Sequence, residues 1–111
     1  MTKTIIYTVS CEKSYTIPSP SNDIVHVYVP MHRAFLDLDD AMAFVEGEAD
    51  SRNLVTSGGF RLSERKHHEG WTTAYGDDEM LTMTATLFSE TRENASGLLC
   101  AFYRIHAAEL K

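Results

Sequence analysis

Lysine and arginine are scarce in the middle of this chain: none falls between Arg33 and Arg52. Over all 111 residues, 10 basic side chains stand against 16 acidic ones, a formal charge of -6. Phosphate affinity comes chiefly from clustered cations, so the shortage argues against direct nucleic-acid binding. It equally disfavours a polybasic contact with a membrane. Cysteine is scarce too. Cys11 and Cys100 are too few for a disulfide framework, and their spacing fits no zinc signature, so both read as reduced thiols. The opening stretch is too short an apolar run for a signal peptide, and nothing approaches the ~18 consecutive apolar residues of a membrane span. Cytoplasm is the expected compartment. A glycine-rich phosphate cradle is missing, since Ser57, Gly58 and Gly59 read only as a turn.

What is present begins with an amphipathic stretch, residues 37–50. Leu38, Ala41, Met42, Val45 and Ala49 recur at the three- and four-residue spacing of one helix face. Asp37 fits the N-cap, where a carboxylate accepts orphan amide protons, and Asp39 and Asp40 follow at the positive end of the helix dipole. The stretch holds six acidic residues (Asp37, Asp39, Asp40, Glu46, Glu48, Asp50), as many as the whole chain's excess of negative charge. Asp39, Glu46 and Asp50 are expected opposite the apolar stripe, facing solvent.

The rest of the chain reads mainly as strands. Residues 4–11 alternate, with Ile5, Tyr7, Val9 and Cys11 on one face. Residues 12–22, with Pro18 and Pro20 among serines, read as an extended surface connection. Residues 23–29 form a second strand stopped by Pro30, with Val25, Val27 and Val29 as its buried side. The economical reading of 60–66 and 71–75 is a hairpin turning at His67, His68, Glu69 and Gly70. After the turn at Gly76, Asp77, Asp78 and Glu79, residues 80–88 give the cleanest alternation: Leu81, Met83, Ala85 and Leu87 inward, Thr82, Thr84 and Thr86 outward. Residues 98–107 fit either a strand, with Leu99, Ala101, Tyr103 and Ile105 facing the core, or a helix; the preceding strand tips the reading toward strand. The fold class is therefore α+β, one domain spanning 1–111, with a single helix packed on a mainly antiparallel sheet of about five or six strands.

Chemistry-bearing patterns are thin. His67 and His68 sit side by side in a turn, where neighbouring side chains diverge, so the expectation is that both are expendable and that the chain holds no metal or cofactor. Cys100 with His106 or His26 would make a thiol–imidazole pair, but a cysteine flanked by Leu98, Leu99 and Phe102 reads more readily as packing. No catalytic residue is assigned. Trp71 and Tyr75 beside the cations of 61–66 suggest base stacking, yet the surrounding carboxylates offset that field.

Carboxylates spaced along a folded surface can imitate phosphates and occupy a basic groove. In size and charge alone, the chain is similar to the small acidic α+β inhibitors of phages and mobile elements, among them the anti-CRISPR and anti-restriction proteins. That likeness implies a non-enzymatic protein that docks an acidic face (Asp39, Asp40, Glu46, Asp50, Asp77, Asp78 and Glu79) on a basic, nucleic-acid-binding partner. Against it stands a plain solvated helix face. Two further readings remain: a small-molecule or enzymatic pocket between helix and sheet near Trp71, Tyr75 and His26, and a homodimer or other homo-oligomer built on exposed strand edges or on Phe88, Phe102 and Tyr103.

Overall fold

A computed structural model describes residues 4–16, 24–64, 70–77, 80–90 and 98–110. Strands β1 (Thr4–Thr16) and β2 (Ile24–Phe35) lead into helix α1 (Leu38–Ser51). The short β3 (Leu54–Val55), a 3-10 turn at Leu62–Glu64, β4 (Thr72–Tyr75), β5 (Leu81–Ser89) and β6 (Leu98–Leu110) follow. The six strands form one antiparallel sheet in the order β2-β1-β6-β5-β3, with β4 also paired to β5. The expected fold class holds: one helix on an antiparallel sheet.

Alternation sends one side of each strand under the helix. Val9 and Cys11 of β1, Met83, Ala85 and Leu87 of β5, and Ala101, Tyr103 and Ile105 of β6 form the core with Ala41, Val45 and Ala49 of α1. Leu54 and Leu62 close it at the far side, where neither is exposed. The opposite face of the sheet has no helix over it among the described residues. It carries Thr8, Ser10 and Glu12 of β1, Thr82, Thr84 and Thr86 of β5, and Phe102, Arg104 and His106 of β6. An antiparallel sheet tolerates one wet face, and this threonine-rich surface suits it.

The helix starts and stops for local reasons. Asp37 is extended (φ -125°) and its Oδ1 accepts the Asp39 amide at 2.8 Å, which caps the first turn as its sequence position suggests. At the other end Asn53 adopts φ +56°, a left-handed conformation that asparagine tolerates and that ends helices.

Several expectations need correction. Pro30 does not end β2, because β2 is an edge strand and Pro30 adjoins a bulge, the two settings in which a sheet tolerates proline. Instead the pairing jumps from Val9–Arg33 to Ser10–Pro30, leaving Met31 and His32 as a bulge, and Met31 packs against the core. The valine side of β2 is not buried: Val25 and Val29 are half-covered and Val27 is 40% exposed. The expected strand at 60–66 is not seen over its described part, 60–64, because Leu62–Glu64 turns as a 3-10 helix, and β4 pairs with β5. Single-turn periodicity at Phe60 and Leu62 cannot separate the two conformations. In β6, Leu98 rather than Leu99 faces the core: a register shift between Ser14 and Tyr15 leaves Leu99 unpaired and 38% exposed. β1 also runs on to Thr16, five residues past its expected end.

Candidate functional site

The acidic residues separate into two groups. β2 delivers α1 at the end of the sheet where Phe35 pairs Tyr7 and Tyr7 pairs Ala107. Asp37, Asp39 and Asp40 are exposed there. Leu81, which follows Ala107 across the sheet, begins β5, so the turn holding Asp77 projects from the same end. Three strand spacings of ~4.8 Å separate Phe35 from Leu81, so the two carboxylate groups flank one end of the molecule rather than touching. Glu109, paired with Ile5, adds an exposed carboxylate between them. Among the described residues none of Asp39, Asp40, Asp77 or Glu109 has an ion-pair partner within 4 Å. Arg33, over the Phe44 ring at 5.3 Å, is a cation at the helix start.

The carboxylates farther along α1 are absorbed by the fold. Glu46 is only 7% exposed, against the expectation of a solvent-facing position. At ~100° per residue it lies about 80° from Leu38, on the flank of the apolar stripe rather than opposite it. Gly47 and Asp40 occupy the true far side. Asp50 is half-buried, not solvent-facing: its Oδ2 accepts the Ser63 hydroxyl at 2.6 Å, and its Oδ1 is buried without a hydrogen-bond partner. Arg61 donates to the Asp50 carbonyl at 3.2 Å and reaches Glu90 at 3.4 Å. Asp78, Glu79, His67 and His68 lie outside the described residues.

Beneath the end of the helix sits a polar cluster that the sequence did not announce. Lys13 is 2% exposed, and its Nζ donates to Glu48 Oε1 at 3.4 Å. Arg52 Nε donates to the same oxygen at 2.6 Å, an (i, i+4) pair. Burial pushes the Glu48 carboxyl up, but the hydrogen bond and charge of Arg52, with the charge of Lys13, outweigh it, so the carboxyl lies below its ordinary value. Beside them burial raises the Cys11 thiol to about 11, and burial also raises the Tyr103 phenol well above its ordinary value. These groups are ionically quiet at neutral pH and closed to solvent, which suits packing rather than nucleophilic chemistry. Continuing the β1 alternation past Cys11 is the signal that would have placed Lys13 on the core face.

The other candidates do not converge. Trp71 is half-buried against the core, Tyr75 is 71% exposed at the β4 edge, and His26 lies on the uncovered face of β2, so the described residues do not bring the three together. Ser14 Oγ and His26 Nδ1 are 2.7 Å apart, and Cys100 pairs with Ser14 on β6. His26 and Cys100 therefore sit on opposite sides of Ser14. His106, whose Nδ1 is 3.1 Å from Thr82 Oγ1, is six residues along the strand from Cys100. Among the described residues, shallow depressions of about 390 Å³ and about 210 Å³ lie among Thr56, Ser57, Gly58, Gly70 and Thr86 and among Ser10, Glu12, Tyr28, Phe102 and Arg104. Among the described residues no three His, Cys, Asp or Glu side chains gather as metal ligands, and no helix is long and apolar enough to cross a membrane.

The architecture defines a single-helix, antiparallel α+β protein. No protein-family model, curated protein or solved structure matches the chain.

Proposed function

We propose that this is a non-enzymatic cytoplasmic binding protein of the inhibitor type, which docks an acidic end on a basic, nucleic-acid-binding partner. The observation that carries the reading is the division of the carboxylates. Glu48 is neutralised by Lys13 and Arg52, whereas Asp39, Asp40 and Asp77 project from one end with no ion pair among the described residues. A field of one sign at one end steers an oppositely charged partner and sets register more than it sets raw affinity. The docking surface is thus the start of α1 with the β4–β5 turn, a smaller patch than the whole helix, and it leaves out Glu46 and Asp50. Inhibition of a phage-defence or other nucleic-acid-cleaving assembly is the activity that such phosphate imitation would serve.

The test is affinity capture on the immobilised protein, comparing the native chain with the triple variant Asp39→Asn, Asp40→Asn, Asp77→Asn at low and high salt. The expected result is that basic nucleic-acid-binding proteins are retained by the native chain at low salt, and are lost both in the variant and at high salt. Screening over a Debye length of ~8 Å at physiological ionic strength underlies the salt arm. Retention of the same proteins by both chains at both salts would sink the reading.

A further inference from the structure

The geometry points to a symmetric dimer in which the β2 edges of two copies pair antiparallel about His26, joining the two sheets into one. β2 is the outermost strand, so its outer row of N–H and C=O groups has no strand partner among the described residues. Native proteins blunt such edges with proline, bulges or charge. Here those devices sit in the second half of the strand, at Pro30 and the Met31–His32 bulge. The first half, Ile24–Val29, has no charge, proline or glycine, and β-branched or aromatic residues fill all of it except His26. Ile24, Val27 and Tyr28 are 58%, 40% and 66% exposed.

The side chains identify the occupant as a second copy. A two-fold axis through His26, perpendicular to the sheet, sets Ile24 opposite Tyr28 of the second copy and Tyr28 opposite its Ile24. Both residues lie on the uncovered face, as their pairing with Thr16 and Glu12 shows, so each contact is an aromatic–β-branched cross-strand pair. Val25 likewise meets Val27 of the second copy, twice, on the helix side. His26 meets its own image, its ring fixed from behind by Ser14. The segment is thus its own best partner, and the interface is isologous and closed. Pairing about Val27 instead would set Ile24 against Pro30. A five-residue ladder falls well short of the ~1,200 Å² of a standard interface, and each copy carries a charge of -6, so the dimer is weak and concentration-dependent. Added salt screens that repulsion and strengthens it. This is the opposite of the salt response of acidic docking, on which the dimer does not depend, so either can fail alone.

Sedimentation of the full chain over a concentration series, at low and high salt, tests the association. Cross-linking tests the register: opposite residues in an antiparallel pair have Cα atoms ~4.5–5.5 Å apart, within disulfide reach. His26→Cys in a Cys100→Ser background should therefore oxidise to a covalent dimer, read as doubled intact mass that reverses with reductant. His26→Lys and His26→Asp should each be monomeric with a native circular dichroism spectrum, and mixing the two should restore the dimer by pairing opposite charges across the axis. A native chain that stays monomeric at its solubility limit in high salt would overturn the proposal. So would a monomeric mixture, or cross-linking through Val27→Cys in place of His26→Cys.

Discussion

The two ends of α1 hold carboxylates of the same kind in opposite circumstances. At the start, Asp39 and Asp40 stand in water with only the helix dipole to favour them. At the end, Glu48 lies over Lys13 and beside Arg52, and Asp50 is held by Ser63. The difference comes from what each turn packs against. The helix begins at the rim of the sheet beside the β2 edge, and it finishes over β1 and β6, where Lys13, Cys11 and Tyr103 face upward. A carboxylate's charge alone therefore does not say whether it is a surface group; the position of its turn over the sheet does. Charge that the fold has not used is the charge on which the proposed docking rests.

The contrast can be broken most severely from beneath the helix end. Cys11 has its thiol raised to about 11 by burial, against an ordinary 9.0. The raised value means that its contribution to stability is complete below pH 9 and is lost as pH climbs through 11. That is about 2–3 kcal/mol at most, since a tenfold change in proton affinity is worth ~1.4 kcal/mol. Denaturant midpoints measured from pH 8 to 11 should fall, and Cys11→Ala should show a shallower fall.

Next in size is Glu48→Ala, which leaves the nearly buried Lys13 ammonium without its counter-ion. A fully buried broken pair costs ~3–5 kcal/mol; Glu48 keeps 23% side-chain exposure, so about 2 kcal/mol is expected in urea unfolding. Adding Lys13→Met should recover most of it, because the orphaned charge goes. The Glu48 carboxyl is held below its ordinary 4.5, so its contribution is present above that pH and is lost as pH falls below it. Glu48→Gln should flatten that acid limb.

The smallest effect belongs to the helix start. Asp39→Asn with Asp40→Asn should change stability by no more than about 1 kcal/mol, the scale of the dipole interaction. A loss as large as that of Glu48→Ala would mean that these carboxylates, too, are structural, and would erase the distinction.

How far this was legible in the sequence follows from how local each cause is. Asp37 and the apolar spacing of Leu38–Ala49 placed the helix start at the N-cap and its end within a few residues, since capping and periodicity act within a turn or two. The alternation from Leu81 to Leu87 placed β5 and its buried side for the same reason. Pro30 misled because its meaning depends on whether its strand is central or at an edge, which only the sheet order decides. Leu99 misled because one unpaired residue reverses every side chain beyond it. Of the candidate site, exposure at Asp39, Asp40 and Asp77 was readable; Glu46, which helical spacing puts on the flank of the apolar stripe, was misread as solvent-facing, and the fate of Asp50 depended on Ser63.

The pairing of Thr4 with Leu110 sets first and last strands side by side in the middle of the sheet. Loop closure over nearly the whole chain must precede that ladder, which gives the protein a high contact order and slow folding. It also makes the chain a natural subject for circular permutation. A few residues joining position 110 to position 4 would turn its longest-range pairing into a hairpin, with new termini at the exposed Ser57–Gly58 loop. The permuted chain would keep every strand neighbour and fold faster, because the step that now waits for the whole chain would become local.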